Sequence, residues 1–398
     1  MLRHFACSIL LCFATLALAQ NTASANTSTS STPVQIVYLI QGTTIVTYNI
    51  DTQTLYASQA GSLTVPNAVN NPDVYPGLIS VLNGHVLYYV GFDAQNQQQL
   101  WVFATDATGS PQLPVLEEFK VTGFVGMQVD PKANFAYATF VGIPPQDSYN
   151  TPWYIRRYVI DPASGKLSQS QLAATYSLNN GAGGTTDCGL LLLGFNLGGT
   201  NLYDEVSCSA HDGSDATYNA RTVNLTTGAL GSDVEVYSWQ NGNTGGFESV
   251  HFVAGRMFDF VVPFDYAQGY DSVNIYPVMP STSTPLLTCN AQMLEACGYS
   301  SGVAHPSGKY IFMGIASDST QIDKVEVSQK KIVDTGNYIS AELSAFSPDG
   351  TLVYGTQVEN NGYQVPIYGF DIATSEVTPG GVIVLPSNTE AFYTAERQ

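Results

Sequence analysis

The chain has 398 residues, of which 44% are hydrophobic and only 11% are Asp, Glu, Lys or Arg. A chain this apolar and this weakly charged can bury a large core, which excludes an intrinsically disordered polymer. The formal net charge is −19, and phosphate binding needs a basic surface, so nucleic acid is not an expected partner. The 36 glycines and 24 tyrosines favour strands and turns over helices.

The first 33 residues form two segments that we expect to lie outside the fold. Residues 1–19 match a secretory signal, because Arg3 precedes an apolar run and Ala17-Leu18-Ala19 has the small-x-small pattern of a cleavage site. The alternative is a membrane anchor, but the run of about 15 residues is shorter than the roughly 20 that a span needs. Residues 20–33 form a polar, low-complexity spacer. We therefore expect a secreted or periplasmic protein without a membrane span after signal cleavage.

Two short patterns recur along the rest of the chain. In the first, a strand runs into Asp/Asn-x-x-(Thr/Ser)-Gly-x-Leu or a degenerate form of it, at intervals of 43 to 63 residues. Clear copies are YNIDTQTL (48–55), YVIDPASGKL (158–167), RTVNLTTGAL (221–230) and YGFDIATSEV (368–377). The second joins an apolar strand, a tight turn and an aromatic strand, as in GMQVDPKANFAYATF (126–140), GVAHPSGKYIFMG (302–314) and LSAFSPDGTLVYG (343–355). Such intervals are typical of four-stranded propeller blades with insertions.

The two ends of the repeat region complement each other. Residues 36–51 open it within a blade that lacks a first strand, and residues 389–398 resemble a lone first strand. Pairing them closes a ring and removes exposed sheet edges, whereas an open solenoid would not need complementary half-blades. The sequence therefore predicts an all-β fold, a seven-bladed β-propeller of four-stranded antiparallel blades in one domain over residues 34–398. The C-terminal strand would complete the first blade.

Four cysteines remain after the signal. An even number in an exported chain predicts disulfides, with three possible connectivities. The spacing favours Cys188–Cys208, across two apolar runs around a Gly-Gly turn, and Cys289–Cys297, across a short loop. A zinc site is the alternative, but no Cys-x-x-Cys or Cys/His cluster accompanies these residues.

The phrases SPDGTLVYG (347–355), HPSGKYIFMG (305–314) and YVIDPASGKL (158–167) resemble those of the secreted lactonase-like seven-bladed propellers, a family that includes phosphogluconolactonase and carboxymuconate-lactonising enzymes. The resemblance covers residues 34–398. It implies a Pro-Arg-His element that opens an innermost strand in the enzymatic members, and this sequence has none. The corresponding starts here are Tyr75-Pro76-Gly77, Thr122-Gly123-Phe124, Thr186-Asp187-Cys188, Phe247-Glu248-Ser249, Ser300-Ser301-Gly302, Ala341-Glu342-Leu343 and Thr389-Glu390-Ala391.

Acids open several of these innermost strands and would face the central channel. They are Asp187, Glu248, Glu342 and Glu390. Acids converging on a channel could bind Ca²⁺, and the alternative is that they are solvated or bonded to backbone amides. We expect no other cofactor. The arginines beyond the signal, at positions 156, 157, 221, 256 and 397, do not open innermost strands, although an anionic lactone needs guanidinium groups near its carbonyl.

The connections from second to third strand and from blade to blade share one face of the ring, which we call the long-loop face. Long, irregular stretches are predicted there at 141–153, 207–219, 262–271 and 280–300. Their aromatic residues Tyr149, Trp153, Tyr266 and Tyr270 suit neutral ligands such as sugars. His211 with Asp212 and Asp215 forms a thin candidate metal site, whereas His305 is interpreted as a structural turn residue.

Two functional hypotheses follow. In the first, the protein is a monomeric, non-catalytic propeller that binds a protein or a neutral glycan through the long-loop face. In the second, it is a divergent lactone hydrolase in which Glu248, His251 or Glu342 performs acid–base chemistry in the channel. The missing Pro-Arg-His element favours the first hypothesis.

Overall fold

The computed structural model describes residues 34–71, 76–142, 150–168, 170–179, 186–195, 198–210, 213–240, 249–252, 258–262, 264–265, 270–277, 287–290, 302–307, 309–316, 319–326, 331–359, 362–387 and 389–397. These residues are built of strands and turns. None of them belongs to a helix long and apolar enough to cross a membrane.

The strands of the first half of the chain are β1 (Val34–Gln41), β2 (Thr44–Asp51), β3 (Tyr56–Thr64), β4 (Ala68–Val69), β5 (Gly77–Val81), β6 (Val86–Asp93), β7 (Gln98–Ala104), β8 (Glu117–Lys120), β9 (Phe124–Val129), β10 (Phe135–Val141), β11 (Asn150–Val159), β12 (Gln171–Asn179), β13 (Thr186–Phe195), β14 (Asn201–Ala210), β15 (Gly213–Val223) and β16 (Leu230–Gln240). Those of the second half are β17 (Ser249–Phe252), β18 (Phe258–Val262), β19 (Phe264–Asp265), β20 (Tyr270–Pro277), β21 (Leu287–Asn290), β22 (Gly302–Ala304), β23 (Tyr310–Ala316), β24 (Ser319–Glu326), β25 (Lys331–Ile339), β26 (Glu342–Phe346), β27 (Leu352–Glu359), β28 (Gly362–Phe370), β29 (Val377–Leu385) and β30 (Thr389–Arg397).

The described strands pair into seven antiparallel sheets, which are the seven predicted blades. From the innermost strand outward, blade 1 is β30-β1-β2-β3 and blade 2 is β5-β6-β7-β8, with β4 also beside β6. Blades 3, 4, 6 and 7 are β9 to β12, β13 to β16, β22 to β25 and β26 to β29. Blade 5 is β17-β18-β20-β21, with β19 paired to β20. The predicted seven-bladed fold is confirmed.

The ring closes within blade 1. Strand β30, from the C-terminal end of the chain, pairs antiparallel with β1 from Val34↔Arg397 to Gln41↔Thr389. Strand β1 is buried along most of its length, and β30 adds the buried side chains of Tyr393 and Ala395 to the same core. The predicted closure by the C-terminal strand is confirmed.

The first sequence pattern forms the turn between the third and fourth strands of a blade. Asp161 begins this turn in blade 3, and its Oδ1 accepts hydrogen bonds from the backbone N–H groups of Ala163 and Ser164, at 3.1 and 2.7 Å. Asn224 caps the equivalent turn of blade 4 in the same way. In blade 7, hydrogen bonds from the backbone of Ala373 and Thr374 hold the pKa of Asp371 below its usual value. These turns form the tight-turn face of the ring, opposite the long-loop face.

A tyrosine on the second strand of several blades bonds to this turn in the next blade. The hydroxyl donates to the carbonyl of a turn residue in the pairs Tyr38–Gly109, Tyr88–Gly165 and Tyr137–Gly228, each at 2.7 Å. The three glycines have φ of +78°, +69° and +68°, a region that favours glycine. We call this contact the tyrosine latch. It links the aromatic strand of one repeat to the polar turn of the next.

Blades 6 and 7 are joined by His305 as well as by a tyrosine. Tyr310 donates to the carbonyl of Ile372 at 2.8 Å. His305 is fully buried; its Nδ1 accepts from the N–H of Ser307 at 3.0 Å, which leaves Nε2 to donate to the carbonyl of Gly350 at 2.7 Å. Burial lowers the pKa of His305 to about 4. The interpretation of His305 as a structural residue agrees with these contacts.

The junction that closes the ring, between blades 7 and 1, lacks the latch. Tyr354 of β27 stands where the second sequence pattern places Tyr137, yet its buried hydroxyl has no hydrogen-bond partner among the described residues. Leu55, with φ of +57°, replaces the turn glycine of blade 1 and is 7% exposed. Its carbonyl accepts from the N–H of Gly381 at 2.8 Å, and a Cβ on Gly380 would lie 2.3 Å from the Leu55 Cβ. Leu55 therefore wedges into a space that glycines keep open.

Candidate functional site at the channel mouth

The innermost strands begin where the repeats predicted. Strands β5, β9, β13, β17, β22, β26 and β30 each start within one of the seven predicted tripeptides. The residues at these starts are Gly77, Phe124, Thr186, Ser249, Gly302, Glu342 and Thr389. The blade assignment made from sequence is therefore correct, and none of these first residues is an arginine or a histidine.

The predicted channel acids fall at equivalent positions of different blades. Glu342 is the first residue of β26, while Asp187 and Glu390 are the second residues of β13 and β30. His251 is the third residue of β17, and Glu248 lies outside the described residues. Because innermost strands of a propeller run in the same direction, these positions share the long-loop end of the channel.

The backbone on both sides of Glu342 is held by one buried hydroxyl. Thr320 of β24, in blade 6, is 1% exposed; its Oγ1 donates to the carbonyl of Ala341 at 2.8 Å and accepts from the N–H of Leu343 at 3.2 Å. The Glu342 side chain itself is exposed. An exposed carboxylate thus stands on a fixed backbone at the channel mouth, which suits it for accepting hydrogen bonds from a ligand.

The long-loop face differs from the prediction in blade 4. Residues 207–219, predicted as an irregular loop, lie largely in strands β14 and β15, which pair up to Ala210↔Gly213. Polar and apolar residues alternate at 207–210 and 215–219, a pattern typical of strands. Asp215 is accordingly a strand residue, whereas His211 and Asp212 lie outside the described residues. In the described part of the chain, no three His, Cys, Asp or Glu side chains are grouped to hold a metal.

The predicted loop aromatics also need correction. Trp153 lies in β11, which begins within the predicted loop 141–153. It pairs with Val141 and Tyr176 and is 8% exposed. Its indole packs in the core between blades 3 and 4 and does not line a binding surface. Tyr270 is the first residue of β20, and Tyr149 and Tyr266 lie outside the described residues.

The disulfide Cys188–Cys208 is confirmed. The two cysteines face each other on β13 and β14, with Cα atoms 4.0 Å apart. Cys289 lies on β21, and its predicted partner Cys297 is outside the described residues. The bond ties the innermost strand of blade 4 to its neighbour, next to the position of Asp187.

A buried ion pair that the sequence reading missed lies between blades 3 and 4. Arg221 Nε and Asp204 Oδ2 are 3.1 Å apart, and their side chains are 7% and 0% exposed. Tyr176 and Asn219 both donate to Asp204 Oδ1, at 2.8 and 3.0 Å. Burial raises the pKa of Asp204, although these hydrogen bonds and the charge of Arg221 oppose the rise.

This network uses the arginine as a structural group. The Arg221 guanidinium also stacks over the Tyr176 ring, 5.0 Å from its centre, and contacts Asp233 at 3.4 Å. Arg156, Arg157 and Arg221 lie on third strands, as predicted, away from the starts of innermost strands. The sequence does contain a signal for the buried ion pair, because Asp204 shares its strand face with the apolar residues Leu202 and Val206. An acid on an apolar strand face implies a buried partner.

Glu205, the residue after Asp204, has a different environment. Its side chain points to the other face of β14, away from blade 3. Burial raises the pKa of Glu205 to about 7, although a hydrogen bond from Ser207 opposes the rise. Blade 4 therefore carries a carboxyl group that changes its protonation near neutral pH.

Comparisons with known proteins identify the fold. No protein-family model and no curated protein sequence matches the chain. A solved structure of a Lactobacillus plantarum protein matches with a TM-score of 0.57 and 12% identity, covering 92% of this chain and 100% of that one. Pseudomonas aeruginosa periplasmic gluconolactonase matches with a TM-score of 0.55 and 11% identity, covering 91% and 99% of the two chains.

A third similar structure is a larger enzyme. Prolyl oligopeptidase B from Galerina marginata matches with a TM-score of 0.54 and 11% identity over 96% of this chain, but over only 54% of its own length. Identities this low show a shared fold. In fold, the chain is a β-propeller similar to these structures, one of which is a gluconolactonase.

Proposed function

We propose that this protein is a non-catalytic propeller that binds a neutral glycan at the mouth of its channel on the long-loop face. The observation that supports this function most is the exposed Glu342 carboxylate on a backbone fixed by Thr320. A carboxylate accepts hydrogen bonds from sugar hydroxyls, and the fixed backbone lowers the ordering cost of binding at this position. An exported destination, inferred from residues 1–19, would give the protein access to glycans.

The charge at the channel mouth supports the same proposal. Asp187, Glu342 and Glu390 lie at the starts of innermost strands, whereas the Pro-Arg-His element that the resemblance implies at one such start is missing from this sequence. A phosphorylated or carboxylated lactone would be repelled by these acids and by the net charge of −19. A neutral hydroxyl-rich ligand carries no such penalty.

Binding to an array of neutral oligosaccharides, followed by calorimetric titration of the best ligand, tests the proposal. We expect Glu342→Gln to weaken binding about tenfold, because a charged acceptor is lost. Glu376→Gln is the matched control, since this acid is exposed in a turn on the opposite face. Equal affinity of wild type and Glu342→Gln for the best oligosaccharide, or no binding to any oligosaccharide on the array, would refute a glycan site at Glu342.

Lactone hydrolysis is the second candidate, favoured by the structural similarity to a gluconolactonase. Turnover of neutral and acidic lactones by wild type, compared with Glu342→Gln and Glu248→Gln, separates the two functions. We expect no turnover. Hydrolysis that either substitution abolishes would establish the enzyme and overturn the binding-only proposal.

A further inference from the structure

A groove of about 510 Å³ lies between blades 7 and 1 on the tight-turn face. This volume is within the range of small-molecule sites. Blade 1 contributes Gln35, Thr52, Gln53 and Leu55, and blade 7 contributes mainly Asp349, Thr351, Leu352, Phe370, Asp371 and Thr378. The groove is therefore at the closing junction, where Leu55 replaces the turn glycine and the tyrosine latch is missing.

The groove combines an apolar floor with a negative rim. Leu55, Leu352 and Phe370 are 7%, 2% and 5% exposed and form the apolar part. Asp349 and Asp371 are exposed carboxylates, and no lysine, arginine or histidine is among the lining residues. Such a lining favours a ligand with an aliphatic stem and a positive end.

Gln35 adds a buried acceptor that the protein leaves unused. The side chain is 1% exposed, and its Nε2 donates to Glu396 Oε2 at 3.4 Å. This contact orients the amide, because the opposite orientation would place two oxygens together. The Oε1 atom is buried and has no hydrogen-bond partner among the described residues. An unpaired buried acceptor costs free energy unless a donor reaches it.

Asp371 is held in place by the turn in which it lies. Its Oδ1 accepts from the N–H groups of Ala373 and Thr374, at 2.7 and 3.3 Å, and these bonds lower its pKa. The carboxylate, which is ionised at neutral pH as exposed aspartates are, is thus fixed at the rim. Asp349 is held in a similar way, by the hydroxyl and the N–H of Thr351.

We propose that this groove is a binding site for an alkyl primary ammonium group, such as that of a diamine or of a lysine-like amino acid. The aliphatic stem packs on Leu55, Leu352 and Phe370. The ammonium donates to Gln35 Oε1 and is attracted by Asp349 and Asp371. The site is separate from the channel mouth, so its test does not depend on the proposed glycan function.

Calorimetric titration with 1,5-diaminopentane at about 150 mM salt tests the site, since screening then suppresses long-range attraction. The neutral probe 1,5-pentanediol has the same stem, and we expect it to bind at least about tenfold more weakly. Asp371→Asn should weaken diamine binding about fivefold, the range expected for an exposed charge. Gln35→Met should weaken it about tenfold, because it removes the buried acceptor.

The repeat supplies a matched control. Asp161→Asn makes the same change in the same turn of blade 3, away from the groove, and should leave diamine affinity unchanged. Asn224 caps the equivalent turn of blade 4, so both asparagine variants are expected to fold. The proposal is overturned if wild type shows no saturable binding, if the diol binds as tightly as the diamine, or if Asp161→Asn and Asp371→Asn weaken binding equally.

Discussion

The junctions between blades 1 and 2, 2 and 3, and 3 and 4 differ from the junction that closes the ring. At the first three, a buried tyrosine hydroxyl meets a glycine carbonyl in the next blade at 2.7 Å. At the closing junction, the hydroxyl of Tyr354 is buried without a partner and Leu55 packs against Gly380. The first three junctions therefore share a tyrosine latch, whereas the closing junction combines an apolar wedge with a hydrogen bond from the N–H of Gly381 to the Leu55 carbonyl.

Blade 1 also differs from the other blades in its chain connectivity. It is assembled from both ends of the fold, because β30 supplies its innermost strand and pairs with β1. This ladder lies within blade 1, so other groups hold blades 7 and 1 together: the apolar side chains around Leu55 and a hydrogen bond from Thr394 to the Phe346 carbonyl at 2.8 Å. The groove lies beside the Leu55 wedge.

The largest effect is expected at a latched turn. Gly228→Ala should lower the free energy of unfolding by about 4 kcal/mol, because φ is +68° and the new Cβ would lie 2.6 Å from Phe135. Urea denaturation measures the change. Gly336→Ala is the control, since φ is +72° there and no atom lies within 4 Å of the added Cβ. It should cost only about 1 kcal/mol; equal costs would show that packing at the latch is unimportant.

The wedge is tested at Leu55. Leu55→Ala should cost about 3 kcal/mol, because a buried leucine side chain is removed between blades 7 and 1. Leu225→Ala in the corresponding turn of blade 4 is the control, since Leu225 is 41% exposed and a surface change costs at most about 0.5 kcal/mol. The urea midpoints of the two variants show whether the Leu55 side chain stabilises the closing junction. A Leu55→Ala variant as stable as Leu225→Ala would show that the wedge does not stabilise the closing junction.

His305, at the contact between blades 6 and 7, should make the folded protein less stable in acid. His305 stays neutral in the folded protein until about pH 4, whereas the unfolded chain protonates it near its ordinary value of 6.5. The unfolded state therefore binds the extra proton. The contribution of neutral His305 to the free energy of unfolding is fully present above about pH 6.5 and has fallen by about 3 kcal/mol at pH 4.

The variant His305→Gln isolates this contribution, because glutamine does not titrate in this range. Urea denaturation between pH 7 and pH 4 should show a shallower loss of stability for the variant than for wild type. Parallel profiles would mean that other groups carry the acid sensitivity. Since Asp349 lies near His305 and opposes the fall in its pKa, the measured midpoint also reports on that carboxylate.

The smallest effect makes the most direct comparison between junctions. Tyr137→Phe should cost about 1.5 kcal/mol, because it removes a latch and leaves a buried carbonyl unpaired. Tyr354→Phe removes a hydroxyl that has no partner, so its cost should be about zero or slightly negative. Thermal unfolding of both variants measures the difference. Similar destabilisation in the two variants would contradict the absence of a latch at the closing junction.

The sequence predicted much of the candidate site because its positions repeat. The turn motifs located the starts of the innermost strands, and with them Glu342 and Glu390, to within a tripeptide. The loops were predicted less well. The predicted loop 207–219 lies largely in the paired strands β14 and β15. Trp153 was misplaced because strand β11 begins at Asn150, within the predicted loop 141–153. Composition does not fix where pairing stops, because a neighbouring strand supplies the hydrogen bonds.

By itself, the amino-acid sequence determined the number of blades, the closure of the ring and the disulfide between Cys188 and Cys208. These features follow from local turn chemistry and from spacing along the chain. Only the tertiary structure revealed the Arg221–Asp204 pair, the tyrosine latch and the groove beside Gln35 and Leu55. The latch and the groove arise from contacts between blades that are distant in sequence, and the Arg221–Asp204 pair of blade 4 is completed by Tyr176 of blade 3. The free energies of these contacts depend on burial and on distances between blades, which local sequence does not encode.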